Sequence, residues 1–174
     1  SGKNIENQKT AKIIGKIIAE NNFNIVFGGG ENGIMGAVAQ SGIENGAKTT
    51  GIIPNFLWKK DILDSAHSKI FNSKLIKTKT MHQRKKMMYD SSHGFLVLPG
   101  GIGTLDECFE VLTWCQLNQI KNKNVGIINF KGYWDPLINL IKHIIKEEYM
   151  RPNNLNYYEE IKNINSLKIF LKNI

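Results

Sequence analysis

No apolar run in this chain approaches the roughly 20 residues that a membrane span requires, and no signal peptide is legible. Cysteine is nearly absent, with 2 among 174 residues. Cys108 and Cys115 fall on one predicted helix with their Cα atoms about 10 Å apart, too far for a disulfide. They fit no metal spacing either, so they read as buried thiols in a reducing compartment, the cytoplasm. His82 and His93 have no second metal-type residue at a useful spacing, and no metal is expected. No Ser-His-Asp or Cys-His arrangement is present. No motif supplies the Schiff-base lysine of a pyridoxal phosphate enzyme, and no cofactor is expected. No internal repeat, low-complexity stretch or linker interrupts residues 1–174, which therefore read as one nucleotide-binding domain. The chain also lacks a starting Met and opens Ser1-Gly2, so a leading segment is expected to have been removed or replaced by a tag remnant.

What is present is a globular composition, 41% hydrophobic and 22% charged, with a net charge of +8 and a pI near 9.4. Much of the excess base is spread over helix faces and the C-terminal tail. The denser run is Lys74, Lys77, Lys79, Arg84, Lys85 and Lys86, with His82 among them. That run suits an anionic ligand. No aromatic platform is interleaved with it, so a nucleic-acid polymer is not the expected partner.

Short β-branched runs alternate with helical ones. A first helix covers roughly Lys9 to Glu20, with Ile13, Ile14, Ile17 and Ile18 on its apolar side. The strand Asn24 to Phe27 leads into Gly28-Gly29-Gly30 and a helix from about Asn32 to Asn45. Thr49 to Ile53 is the next strand, and Asn55 to Asn72 has weak periodicity. Lys74 to Lys77 reads as a strand and Met81 to Asp90 as a helix. Phe95 to Leu98 precedes a glycine loop, and the helix Thr104 to about Asn118 follows it. Val125 to Asn129 and Trp134 to Tyr149 repeat the unit, and a short tail helix has Ser166 as its cap. This order predicts an α/β fold, a Rossmann-like doubly wound parallel sheet between two helix layers, with ligands beyond the C-terminal strand ends. Such folds usually open with a strand, so a first strand is expected to be missing upstream.

Both glycine loops fall at strand ends. Gly28-Gly29-Gly30-Glu31-Asn32-Gly33 formally matches a dinucleotide fingerprint, but no acid follows the next strand to hold a ribose hydroxyl. A tight turn would also use glycine. The triple run exceeds that need and reads as ligand-facing through Gly29 and Gly30. In the second loop, Pro99-Gly100-Gly101-Ile102-Gly103-Thr104-Leu105-Asp106-Glu107, glycines admit a phosphate to the backbone and a helix start aims amides at it. Thr104 and Glu107 also have capping-box spacing, with Thr104 as N-cap, and such a cap contributes about 1 kcal/mol. On the residues alone, cap and catalyst both stand for Glu107. Asp106 would complement the helix dipole.

Together with Met81-His82-Gln83-Arg84-Lys85, Gly28 to Gly36, Thr113 to Leu117 and Gly132 to Leu137, this loop resembles the Lonely-guy family. Its members are cytokinin-activating phosphoribohydrolases often mislabelled lysine decarboxylases. The resemblance runs from Phe27 to about Met150. It implies hydrolysis of the N-glycosidic bond of a nucleoside 5'-monophosphate to base and ribose 5-phosphate. It also implies a homodimer, no metal, and an essential arginine and glutamate at Arg84 and Glu107. The sequence departs from the family at Ile102, often aromatic, and at Asp106, a shortened acid. Asn55 to Asn72 does not align, and Asp61 is the nearest counterpart of the acid the family turns to the base.

Breaking a ribosyl C–N bond builds positive charge on the sugar, so Glu107 is expected to stabilise that charge and to orient or deprotonate water. The phosphate is expected on the amides of Gly100, Gly101, Gly103 and Thr104, with the Thr104 hydroxyl helping and Ile102 and Asp106 lining the loop. Arg84 would hold substrate oxygens in its fork and Lys85 would add a point charge. The rival is a non-catalytic nucleotide or molybdenum-cofactor carrier on the same fold.

Overall fold

The computed structural model describes residues 5–61, 74–117, 119, 123–150 and 158–174. The chain divides into two compact units, Ser1–Ser92 and His93–Ile174. In the first, α1 (Ile5–Glu20), β1 (Ile25–Phe27), α2 (Gly33–Glu44), β2 (Thr49–Pro54), α3 (Asn55–Asp61), β3 (Lys74–Thr78) and α4 (Met81–Asp90) follow in order. The second holds β4 (Gly94–Val97), α5 (Ile102–Gln116), β5 (Asn124–Ile128), a 3₁₀ turn (Phe130–Gly132), α6 (Asp135–Lys146), β6 (Glu159–Ile161) and α7 (Ile164–Lys172). Each unit carries a three-stranded parallel sheet, ordered β1-β2-β3 in one and β4-β5-β6 in the other. The expected α/β class is what the chain adopts. No described helix is long and apolar enough to cross a membrane.

In the first unit α1 lies on α2. Ala11, Ile14, Ile17 and Ile18 are buried, each isoleucine contributing about 1.5–3 kcal/mol. Ile13, expected beside them, is 45% exposed. It sits about 40° beyond Ile17, past the edge of the buried stripe. The helices touch where Gly15 leaves room, since a Cβ there would overlap the Val38 carbonyl. Ser41 donates to the Lys12 carbonyl across the contact at 2.6 Å.

The second unit packs Val97, Val125 and Ile127 from its strands against Cys108 and Leu112 of α5, and Leu137, Ile138 and Ile141 of α6. Burial pushes the Cys108 thiol up to about 11 and raises that of Cys115 more modestly, and neither is in a disulfide. Cys108 is therefore a packing residue, protonated near neutrality. Trp134 joins this core, whereas Trp114 is only half-buried.

Several boundaries differ from expectation. Helix α5 starts at Ile102, not Thr104, with the extended residue Gly101 as its N-cap. Helix α7 is capped by Asn163, and Ser166 is the reciprocal partner in that capping box. Strand β6 was not foreseen, because Glu159-Glu160-Ile161 offers only Ile161 as an apolar signal. Helix α3 fills part of the stretch that had no clear period. The side chain of Asp61, Ser1-Gly2 and the remainder of that stretch lie outside the described residues.

Candidate active site

Arg84 is placed by local rules. Thr80 caps α4 by accepting from the Gln83 amide at 3.1 Å, and Gln83 accepts from the Lys79 amide at 2.8 Å. This fixes the first turn, and Arg84 follows on the face turned to the sheet. Its Nε donates to the Ile52 carbonyl near the end of β2 at 3.1 Å, and Nη1 lies 4.0 Å from the Met81 sulfur. The guanidinium also lies over Gly28, at the end of β1, where a Cβ would overlap Nη2. A solvated charge run would not pack this way. Lys86 behaves as one, pairing with Asp90 on the exposed side. Lys85 is half-buried, and His82 and His93 are exposed. Lys77 lies over the Trp58 ring, 3.8 Å from its centroid.

The Gly28-Gly29-Gly30 run has reasons inside the fold. Gly29 has φ +79°, and a Cβ there would overlap Ile53. A Cβ on Gly30 would meet the Met35 methyl at 2.6 Å. Gly29 answers a firm steric demand, and Gly28 and Gly30 make room for the ends of Arg84 and Met35, so the run is not by itself a sign of a ligand. Gly28→Ala should push the Arg84 fork off β2. For the nucleotide hydrolysis expected from the sequence, kcat/KM should fall about tenfold, with most of the helical signal retained in circular dichroism.

The second loop is different. A Cβ on Gly100 would overlap the Thr104 hydroxyl oxygen, so that side chain folds back over the loop. At Gly101 and Gly103 a Cβ would meet nothing within 4 Å. The loop follows β4 and feeds α5, whose first turn leaves amides without intrahelical partners. Thr104 N–H donates to the Gly101 carbonyl at 3.0 Å, as does Leu105 N–H at 3.1 Å. The expected donor set therefore shifts. The Thr104 amide is occupied, and the amides of Ile102 and Gly103 precede it at the helix mouth.

With α5 starting at Ile102, Thr104 is not its cap and Glu107 stands in the second turn, outside the capping box its spacing suggested. Residues four apart share a helix face and side chains lean toward the N-terminus. Half-buried Glu107 therefore lies on the Gly103 face and leans toward the loop. Asp106 points elsewhere, on the exposed face with Ile102.

Tyr133 was missed. Its hydroxyl donates to the Gly100 carbonyl at 2.8 Å, across 33 residues of sequence. No local pattern announces such a contact. Among the described residues no group of three or more His, Cys, Asp or Glu side chains is placed to hold a metal ion.

A family model described as "Possible lysine decarboxylase" matches residues 35–168. A probable cytokinin riboside 5'-monophosphate phosphoribohydrolase, LOGL2 of Oryza sativa subsp. japonica, is 38% identical over 152 residues, 87% of this chain and 60% of that protein. Cytokinin riboside 5'-monophosphate phosphoribohydrolase LOG3 of Arabidopsis thaliana is 36% identical over 151 residues, 87% of this chain and 67% of that protein. The chain thus spans about three fifths of the length of the rice relative and two thirds of the Arabidopsis one. Among solved structures, the molybdenum cofactor binding protein from Rippkaea orientalis superposes with a TM-score of 0.66 at 20% identity. It covers 95% of this chain and 86% of that one, a likeness of fold.

Proposed function

Because this chain belongs to the family whose model is described as "Possible lysine decarboxylase", with relatives named as phosphoribohydrolases, we propose that it hydrolyses the N-glycosidic bond of a nucleoside 5'-monophosphate. The products are the free base and ribose 5-phosphate, and AMP or a cytokinin riboside 5'-monophosphate is the substrate class. The observation that carries this reading is the start of α5 at Ile102, which takes Glu107 out of the capping box and puts it one turn beyond Gly103, where a Cβ would meet nothing within 4 Å.

In the proposed reaction the phosphate sits on the loop from Gly100 to Thr104, held by helix-mouth amides and the Thr104 hydroxyl. That anchoring spends binding energy on orientation. As the C–N bond breaks, the base leaves with the bonding electron pair and takes up a proton from solvent; Glu107 stabilises the developing cation and takes a proton from the water whose oxygen bonds to the anomeric carbon. Arg84, anchored through Nε on the Ile52 carbonyl, turns its guanidinium to substrate oxygens, and Lys85 adds a point charge. Gly29 and Gly30 take part through backbone amides, Ile102 lines the loop, and Asp106 adds negative potential on the neighbouring face.

The decarboxylase label implies pyridoxal phosphate, and the residues present do not suit it. A Schiff-base lysine is normally activated by desolvation, and among the described residues no lysine is buried. Two copies of the chain packing through α5 would cover Ile102, 82% exposed, with Phe109 and Leu117 on the same side of the helix. We take the active form to be that homodimer. Its two free thiols suit the cytoplasm.

The test is product analysis over a panel of nucleoside 5'-monophosphates, with the matching nucleosides as controls. Ribose 5-phosphate should accumulate from monophosphates only. Nucleosides hydrolysed equally fast would defeat phosphate anchoring, and binding without turnover would make the chain a carrier. Gly103→Ala separates fold from site. It puts a methyl into open space on a helical residue, so the melting temperature should hold or rise, Gly to Ala being worth up to about 1 kcal/mol. KM for the nucleotide should rise at least fivefold. An unchanged KM would place the phosphate elsewhere.

A further inference from the structure

We infer that Tyr133 is a positioning residue whose hydroxyl sets the Gly100–Gly101 peptide, and so aims the Gly101 N–H as a donor of the anion loop. The inference rests on the proposed phosphate-binding role of that loop. A trans peptide is planar, with its C=O and N–H pointing in opposite directions. Among the described residues no peptide bond is cis. Tyr133 holds the Gly100 carbonyl at 2.8 Å, so the Gly101 N–H points away from Tyr133. Without a constraint this peptide would turn over easily. Its flip needs only rotation at Gly100 and Gly101, where no Cβ opposes positive φ. A flipped peptide would present a carbonyl oxygen, which repels phosphate, in place of the N–H that attracts it.

Tyr133 can serve as a fixed point because its own approach is held. Buried Asn129 follows β5, accepts from the Trp134 amide at 2.7 Å, and donates to Asp135 at 2.8 Å and to Glu160 of β6 at 2.7 Å. Its backbone N–H donates to the Ile161 carbonyl at 2.8 Å. Between Asn129 and Tyr133 the chain turns through Lys131 at φ 61° and Gly132 at φ 73°. The Tyr133 ring then stands edge-on to Trp134, centroids 4.8 Å apart. With Trp134 in the core, the phenol is mounted on a rigid base although Tyr133 itself is 47% exposed.

Tyr133→Phe keeps the ring and its Trp134 contact and deletes only the hydroxyl. Inorganic phosphate and ribose 5-phosphate should inhibit or bind the variant about fivefold more weakly, the factor corresponding to one ordinary hydrogen bond. KM for the monophosphate should rise by the same factor with kcat within twofold, and inhibition by adenine should not change. Calorimetry with inorganic phosphate reads the effect without turnover. Wild-type chain that binds phosphate but hydrolyses no monophosphate would sink the hydrolase proposal while leaving this comparison intact. Equal phosphate affinity in variant and wild type, or an equal loss for phosphate and adenine, overturns the positioning role.

Discussion

Glu107→Gln should lower kcat for a nucleoside 5'-monophosphate by a hundredfold to a thousandfold while leaving the melting temperature within about 2 °C of wild type. Glutamine preserves the shape and removes the charge. A preorganised group facing charge that develops only in the transition state is worth about 3–4 kcal/mol, which gives the hundredfold floor. Losing the proton acceptor for water adds to that. The fold should barely register the change, because Glu107 lies beyond the first turn of α5, where Gly101 is the N-cap. The helix-dipole contribution of such a carboxylate is at most about 1 kcal/mol and fades past the first turn. Thermal melts run beside the kinetics check both halves. Turnover within threefold of wild type would remove Glu107 from the chemistry.

Arg84→Ala should cost about a hundredfold in kcat/KM, and Arg84→Lys should recover little of it. The reason is geometric. The Nε bond to the Ile52 carbonyl and the seat over Gly28 fix the guanidinium plane, so its fork meets the substrate already oriented. Lysine restores the charge but has no fork and no second nitrogen, so it cannot both anchor on β2 and present a planar pair to the substrate. Both variants leave the Ile52 carbonyl without this donor, a stability cost of about 1 kcal/mol. Steady-state kinetics on both, with a melt for each, provides the check. Recovery by lysine to within fivefold of wild type would mean that a point charge suffices.

Much of the molecule was legible because most of its strands are short apolar runs set between helical stretches, and β1 and β4 lead into glycine loops. The alternation of short apolar runs with helical periodicity placed β1 to β5 together with α2, α4 and α5, but not α3, which lies where the periodicity is weak. Arg84 and Glu107 stood out through motif resemblance, and the structure supplies what a motif lacks: the anchor on Ile52 and the true start of α5. That start was misread because Thr104 and Glu107 have the right residue types at the right interval for a cap. Extended backbone at Gly101 decides the matter, and no residue type signals it. Strand β6 was missed since two glutamates hide it, and Tyr133 because its partner is 33 residues away.

The two glycine loops should age differently over evolutionary time. Gly29 is held by its positive φ and by Ile53 within its own unit, so a descendant that lost its chemistry would still have to keep it in order to fold. Gly101 and Gly103 crowd nothing, and in the proposed reaction it is the substrate that needs them. In a lineage relieved of catalysis these two would be the first to drift, making them the sharper marker of whether a given descendant still works as an enzyme.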